Sequence, residues 1–374
     1  MSQSFIEHFS IIEDPRIERC KKHQLMDILF LSLCAVLSGA EGWEDIEDFG
    51  TAKLDWLRKY LPFEHGIPKH DTIARVLSRL NPARIQQCFI NWVKDIAADE
   101  DMQLIAIDGK TARRSFSTKT RHDALHMVSA WSCGHGLVLG QQKVDEKSNE
   151  ISAIPKLLEF LDIRGCTLTI DAMGCQHDIA RRIVEQGGEY VLALKGNQRQ
   201  LSEDVRSWFH RAERDNLTQV KHCEFTQTDS GHGRIEIRRC LQLELDANWL
   251  TDADKWPSLR TVVRVEAERH IGDKCTTECR YYISSRELDA EHLSGIIRNH
   301  WAVENSLHWT LDMTFREDES RIRRGNGAEV MNALRKLALN VIKTNASRTA
   351  SVKRKLKMAA LDDNFRAELL LGVN

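Results

Sequence analysis

The chain has 374 residues, 42% of them hydrophobic, with a formal net charge of −2 at pH 7. That length suits two domains, or one large domain with an appendage, and the apolar fraction is enough for a proper core. The near-neutral balance gives no global case for nucleic-acid binding, so any such activity must rest on local patches.

The opening MSQSFIEHFS has neither a basic start nor an apolar run, so no signal peptide is expected. The strongest apolar stretch, ILFLSLCAVLSGA at residues 28–40, is shorter than the roughly 20 residues a bilayer requires and reads as a buried helix. Ten cysteines without a CxxC pair predict free thiols in a reducing cytosol, hence a cytoplasmic protein without membrane partners. A zinc site on Cys275 and Cys279 would need two further ligands, and no recognisable pattern supplies them.

Residues 1–98 read as an all-helical N-terminal domain. QLMDILFLSLCAVLSG predicts a helix ending at Gly39. WEDIEDFGTAKLDWLRKYL is amphipathic, with a break expected near Gly50. HDTIARVLSRL follows Pro68, with His70 or Asp71 as its cap and Ile73, Val76, Leu77 and Leu80 on one face. NPARIQQCFINWVKDIA takes Asn81 as cap and Pro82 at its first position. Such short helices fit either a helix-turn-helix or a plain bundle.

The texture changes near residue 103. QLIAIDGK, ALHMVSAWS and GLVLGQQKV read as strands, the last two joined by the glycine-rich turn CGHG. A helix (NEISAIPKLLEFLD), a strand (CTLTIDAMG), a second helix (HDIARRIVEQGG) and a strand (EYVLALKGNQ) follow. The order is β-β-β-α-β-α-β, a mixed α/β core over residues 99–345. A β-rich insertion at about 200–285 interrupts it with two hairpins, turning at Gly231–Gly233 and at Gly272–Asp273. Long helices resume at residue 290. Two blocks carry local positive charge without acids. KTARRSFSTKTRH (110–122) holds Lys110, Arg113, Arg114, Lys119 and Arg121. KTNASRTASVKRKLKM (343–358) leads into a basic tail, 346–374, that fits either a phosphate backbone or a solvated, frayed end.

The chemistry-bearing pattern lies in RNHWAVENSLHWTLD, residues 298–312. His300, Glu304, His308 and Asp312 recur every four places, so on a helix they share one broad face. Asp108 and Asp171 stand at the ends of the first and fourth core strands. If those strands are neighbours, the two carboxylates converge where loops leave the sheet, and Glu304 is the best candidate for a third. Carboxylates that close repel one another, and Mg²⁺ removes the penalty. Each residue has a plainer reading: either Asp as a turn or helix cap, Glu304 as a partner of Arg298, the histidines as core residues. A zinc hydrolase on His300, Glu304 and His308 would leave both Asp residues unused.

Taken together, IAIDGKTARRS, LTIDAMGCQ, YVLALKGNQ and RNHWAVENSLHWTLDMTFRED resemble the H-repeat-associated, Rhs-element-linked branch of bacterial insertion-sequence DDE transposases. The resemblance covers nearly the whole chain. It implies a ribonuclease-H-like core, a catalytic and metal-binding triad of Asp108, Asp171 and Glu304, and Mg²⁺-dependent strand cleavage and joining, with Mn²⁺ able to substitute. It also implies double-stranded DNA as partner and a homodimer on that DNA. His300, His308 and Asp312 would support the site. Lys110, Arg113, Arg114, Arg321, Arg323 and Arg324 would hold DNA near it, and Arg75 and Arg79 of the helical domain would hold the element ends. The Tyr, Arg and Lys signature of many relatives is missing, since His300 lies four places before Glu304 and Leu311 seven after. A same-fold nuclease, or an inactive relic kept as a DNA-binding protein, are the alternatives.

Overall fold

A computed structural model describes residues 2–96, 103–116, 124–145, 149–231 and 233–371. Two cations of the first basic block, Lys119 and Arg121, and the boundary at residue 98 lie outside the described residues.

The N-terminal quarter is helical: α1 (Ser2–Phe9), α2 (Leu25–Leu37), α3 (Trp43–Leu57), α4 (His70–Leu77) and α5 (Pro82–Ile96). Helix α2 is apolar all round, and every residue except Met26 is buried, as expected of a central helix. It stops where Gly39 takes a left-handed backbone, φ 92°. The break expected at Gly50 is instead a kink at Lys53, with φ −120° and ψ 18°. Gly50 serves packing, because a Cβ there would sit 2.8 Å from Ile67 and 2.9 Å from Leu31. Neither His70 nor Asp71 caps α4. The Glu47 carboxylate does so from α3, accepting the His70 N–H at 2.7 Å. Asn81 caps α5 through the Ala83 N–H at 3.0 Å, with Pro82 at the first helical position as read.

The α/β region runs β1 (Leu104–Thr111), β2 (His126–Ser132), β3 (Leu137–Lys143), α6 (Glu150–Leu158), β4 (Thr167–Ile170), α7 (His177–Glu185) and β5 (Glu189–Leu194). After it come α8 (Arg199–Arg214), β6 (His222–Gly231), β7 (Arg234–Glu244), β8 (Thr261–Ile271) and β9 (Lys274–Ser284). The sheet order is β3-β2-β1-β4-β5-β9-β8-β7-β6. Strands β1, β4 and β5 are parallel, and every other pairing is antiparallel. The inserted hairpins turn at the expected glycines, but they do not interrupt the core. β9 pairs with β5, Leu192 opposite Ile283, and prolongs the same sheet. The helix that opens the insertion, α8, is absent from the sequence reading.

Helix α9 (Ala290–His300) packs its apolar face on this extension, with Leu293, Ile296 and Ile297 clustered against Val191, Val263 and Tyr282. A π-helical turn, Val303–His308, joins it to α10 (Trp309–Met313). The chain closes with α11 (Gly327–Thr344), α12 (Val352–Leu361) and α13 (Asp363–Leu371). Helix α11 packs on α2 and α5 and also on β3, so one apolar core joins the helical layer to the sheet. The C-terminal segment is therefore not a tail. Lys355 is buried and donates to the carbonyls of Ile342 and Asn345, while the Arg366 guanidinium lies against Trp56 and Phe49. Among the described residues, no helix is long and apolar enough to cross a membrane.

Candidate active site

Strands β1 and β4 are parallel neighbours, with Ile107 opposite Ile170. The next residue on each is the acid, so Asp108 and Asp171 lie side by side. The expected strand end holds for Asp171, whereas Asp108 stays within β1, opposite Ser129 of β2, because β1 runs on to Thr111. Asp171 also caps the short turn Ala172–Gly174, its Oδ1 accepting the N–H groups of Met173 at 3.0 Å and Gly174 at 3.3 Å. The plainer reading of Asp171 as a cap thus holds. Burial, and then the Glu150 charge, raises the Asp171 carboxyl, against those two N–H groups and Lys195. Asp108 is only 15% exposed. Burial first, and then the charge of Glu304 with those of Asp171 and Glu150, pushes its carboxyl up to about 8.

The stripe of four crosses the ends of both strands. His300 Nδ1 lies 3.0 Å from the Thr169 hydroxyl on β4. At the other end, Asp312 lies 2.7 Å from Lys110 Nζ on β1. Between them, Glu304 and His308 both sit on the π turn. A π turn takes one more residue per ring than an α-turn, so this four-residue step falls just short of a full turn rather than just past it. Both side chains therefore still face Asp108. His308 Nδ1 stands 3.3 Å from a Glu304 oxygen and 3.6 Å from an Asp108 oxygen. Burial holds both imidazoles neutral, at about 4 for each.

Ligand atoms of Asp108, Glu304 and His308 all lie within 4.8 Å of one another. His300 is not in that group, which dismantles the zinc trio of His300, Glu304 and His308. Arg298, the partner offered for Glu304 in the plainer reading, pairs instead with Asp229 at 2.7 Å. Asp171 faces the same cleft, about 470 Å³ in volume, whose lining includes Asp108, Glu304, His300 and Trp301. Leu311, where many relatives carry Lys, is fully buried and cannot offer a cation to it.

Several charged residues of this neighbourhood escaped the sequence reading, Glu150, Lys195 and Arg280 among them. Glu150, at the first position of α6, is held by His126 Nε2 at 2.8 Å. The pair lies over Gly109, where a Cβ would meet the Glu150 carboxylate at 2.2 Å. Lys195 follows β5 directly and lines the cleft. Arg280 of β9 stacks 4.6 Å from the centre of the half-exposed Trp301 ring. Lys195 was within reach, because the strand-end rule that selects Asp108 and Asp171 applies equally to β5. Glu150 and Arg280 owe their places to distant pairings.

Lys110, expected to hold DNA, is only 10% exposed and bound to acids: Asp312 at 2.7 Å, Glu317 at 3.3 Å and Asp318 at 3.3 Å. The other expected cations are available to solvent and lie on joined elements. Arg323 Nε donates to the Arg114 carbonyl at 2.9 Å, tying the loop before α11 to the loop after β1. Asn326 ties the same loop to the turn between α4 and α5, donating to the Ser78 and Leu80 carbonyls, each at 2.9 Å. Arg75, Arg79, Arg113, Arg114, Arg321 and Arg324 are exposed on these elements.

Known families match nearly the whole of this chain. Residues 99–341 match the family described as Transposase DDE domain, and residues 6–93 match its companion, DDE_Tnp_1-associated. The chain is 46% identical to the H repeat-associated putative transposase YhhI of Escherichia coli (strain K12), over 99% of this chain and 98% of that protein. It is 45% identical to Putative protein YbfL of the same strain, with the same coverage. Over 77 residues, 21% of this chain and 92% of the relative, it is 58% identical to a protein named Inactive transposase YbfQ. The strands and helices that carry Asp108, Asp171 and Glu304 all fall inside the matched transposase domain, and the chain belongs to the DDE transposase family, among its H-repeat-associated members.

Proposed function

We propose that this chain cuts and rejoins DNA strands at the ends of a mobile element, with Asp108, Asp171 and Glu304 as its catalytic, metal-holding carboxylates. One observation carries the reading: acids from β1, from the end of β4 and from the π turn meet in a single cleft. The sheet order β3-β2-β1-β4-β5, with an antiparallel hairpin leading into parallel strands, supports a ribonuclease-H-like core. The donor set fits a divalent cation, Mg²⁺ with Mn²⁺ able to replace it. It offers hard oxygens, and it crowds like charge so closely that Asp108 resists ionising. When bound, such ions lower the pKa of water and take up charge on phosphate oxygens.

The residues themselves position the reactants. Water attacks the phosphodiester phosphorus, and the bond to the 3′ oxygen breaks to leave a 3′-hydroxyl and a 5′-phosphate. The 3′-hydroxyl then attacks a target phosphodiester and expels another 3′ oxygen, so the number of phosphodiester bonds is conserved in that second step. Lys195, on the cleft wall, is placed to meet phosphate, whereas Arg280 is gripped by Glu278 at 2.7 and 2.9 Å. The exposed arginines Arg75, Arg79, Arg113, Arg114, Arg321 and Arg324 continue the track over the joined loops, and Arg323 locks two of those loops together. Two element ends must be held at once, which calls for a homodimer on DNA. The test uses a duplex bearing the gene's own flanks, with Mg²⁺, and reads cleavage and strand transfer separately. Cutting and joining by the wild type, abolished by Asp108→Asn, Asp171→Asn, Glu304→Gln or EDTA, are expected. Equal cutting by all four proteins ends the proposal, and cutting without joined products reduces it to a nuclease.

A further inference from the structure

We infer that His308 is itself a ligand of the cation held by Asp108 and Glu304, placing one imidazole nitrogen among the carboxylate oxygens and biasing the site toward Mn²⁺ over Mg²⁺. The inference rests on the metal-holding role proposed above and adds a residue and a metal preference to it.

The geometry comes first. Nδ1 of His308 is 3.3 Å from Glu304 and 3.6 Å from Asp108. Two atoms each about 2.1 Å from one ion lie roughly 3.0 Å apart at a right angle and about 4.2 Å apart in line. Both separations fall inside that interval, and the ligand atoms of all three lie within 4.8 Å of one another, so small side-chain rotations would bring them onto one ion. Nε2 is buried and has no hydrogen-bond partner among the described residues. Without a cation the Glu304 carboxylate beside Nδ1 favours the proton there; the cation displaces that proton to Nε2 and takes the Nδ1 lone pair.

The placement is also rigid. His308 is 7% exposed, and it is flanked by the fully buried Leu307 and Leu311. The π turn sets it on the same side as Glu304. A ligand on such a backbone is preorganised. Glu304, by contrast, is 56% exposed and can swing in from solvent. The chemical consequence follows from ligand type. Mg²⁺ takes oxygen donors and keeps its waters, whereas imidazole suits first-row transition ions, so the nitrogen favours Mn²⁺ selectively.

Mn²⁺ binding to the full-length protein, followed by electron paramagnetic resonance and by calorimetry, tests this. Electron spin-echo modulation of the Mn²⁺ signal should show a directly bound ¹⁴N. That modulation should vanish in His308→Gln and change to the ¹⁵N pattern when the wild type carries ¹⁵N-histidine. His308→Gln should weaken Mn²⁺ binding by about 10-fold or more, the scale on which even supporting groups of metal sites act, and Mg²⁺ binding by much less. The labelled wild type keeps the test decisive if the variant fails to fold. Mn²⁺ binding that needs Asp108 but shows no nitrogen modulation overturns the His308 ligand and leaves the carboxylate reading intact. Nitrogen modulation that survives His308→Gln also overturns it. Mn²⁺ binding that is unchanged in Asp108→Asn, or absent altogether, overturns the metal-holding reading itself.

Discussion

Asp108 and Lys110 stand two residues apart on β1, on the same face of the strand, and both are nearly buried. Their surroundings are opposite. Lys110 meets Asp312, Glu317 and Asp318, and Glu317 in turn accepts Asn332 Nδ2 at 2.7 Å and lies 3.9 Å from Arg335. Asp108 meets Glu304, and the charges of Asp171 and Glu150 lie close enough to resist its ionisation. One cluster is complete within the chain. The other is short of positive charge, and its nearest nitrogen, on His308, is held neutral. Buried charge balanced by the protein holds structure together, and buried charge left unbalanced marks a candidate binding site.

The largest separation between the two should appear in catalysis. Asp108→Asn keeps the shape of the side chain and removes the charge. It should lower strand cleavage on the order of 10³-fold, the loss of about 4 kcal/mol of transition-state stabilisation. The circular dichroism spectrum should stay that of a folded protein. A variant that still cleaves within a few-fold of wild type would erase the distinction.

Lys110→Met should do the reverse and act on stability. It takes from Asp312, Glu317 and Asp318 the cation they share, and breaking a buried pair from one side costs about 3–5 kcal/mol. Urea unfolding measures this directly. Unfolding at the wild-type midpoint would mean that the Lys110 cluster is no more structural than the cleft.

The contrast also separates what could be read in the chain from what could not. Apolar runs ending in acid gave away β1 and β4, and the four-residue spacing gave away the stripe through His300, Glu304, His308 and Asp312. Those are local patterns, and local patterns survive folding. The fate of Lys110 was illegible, because Glu317 and Asp318 lie about two hundred residues further on, and a lysine in a basic run carries no sign of its partners. The same holds for Lys355 and Arg366, whose buried contacts turn an expected tail into packed helices. Glu150 reaches the site only because α6 begins over Gly109. Helix α8 was missed for another reason: its apolar residues Leu201, Val205, Trp208, Phe209 and Ala212 keep a helical period, but they are spread among many charges.

A smaller effect should appear in the dependence of stability on pH, measured in EDTA. The Asp108 carboxyl sits at about 8 in the folded chain against an ordinary 3.8. Between those values the folded state binds a proton that the unfolded state has released, so stability falls as pH rises from about 4 to about 8. His300 and His308 act in the opposite sense. Each is lowered from 6.5 to about 4, so the unfolded state binds the extra protons and stability rises over that window. Subtracting the Asp108→Asn curve isolates the acid. The Asn variant should be the more stable at pH 8, by about 1–3 kcal/mol, with the gap closing toward pH 4. A gap that stays constant with pH would show that Asp108 does not carry the unbalanced charge.

The smallest effects belong to the exposed arginines. Arg113 makes one ion pair, with Asp318 at 3.2 Å, and its side chain is 83% exposed. Arg324 is exposed on the loop that Arg323 pins to the Arg114 carbonyl. If each meets one phosphate, its replacement by Gln should weaken duplex binding about equally for all sequences. The slope of log affinity against log salt should then become shallower by about 0.9 per residue. Replacing Lys110 should leave that slope unchanged once the variant's lower stability is allowed for, because its charge is already matched inside the protein. Fluorescence anisotropy across a salt series reads both. A slope that shifts for Lys110→Met and not for Arg113→Gln would move the DNA track inward, to the cluster assigned here to structure.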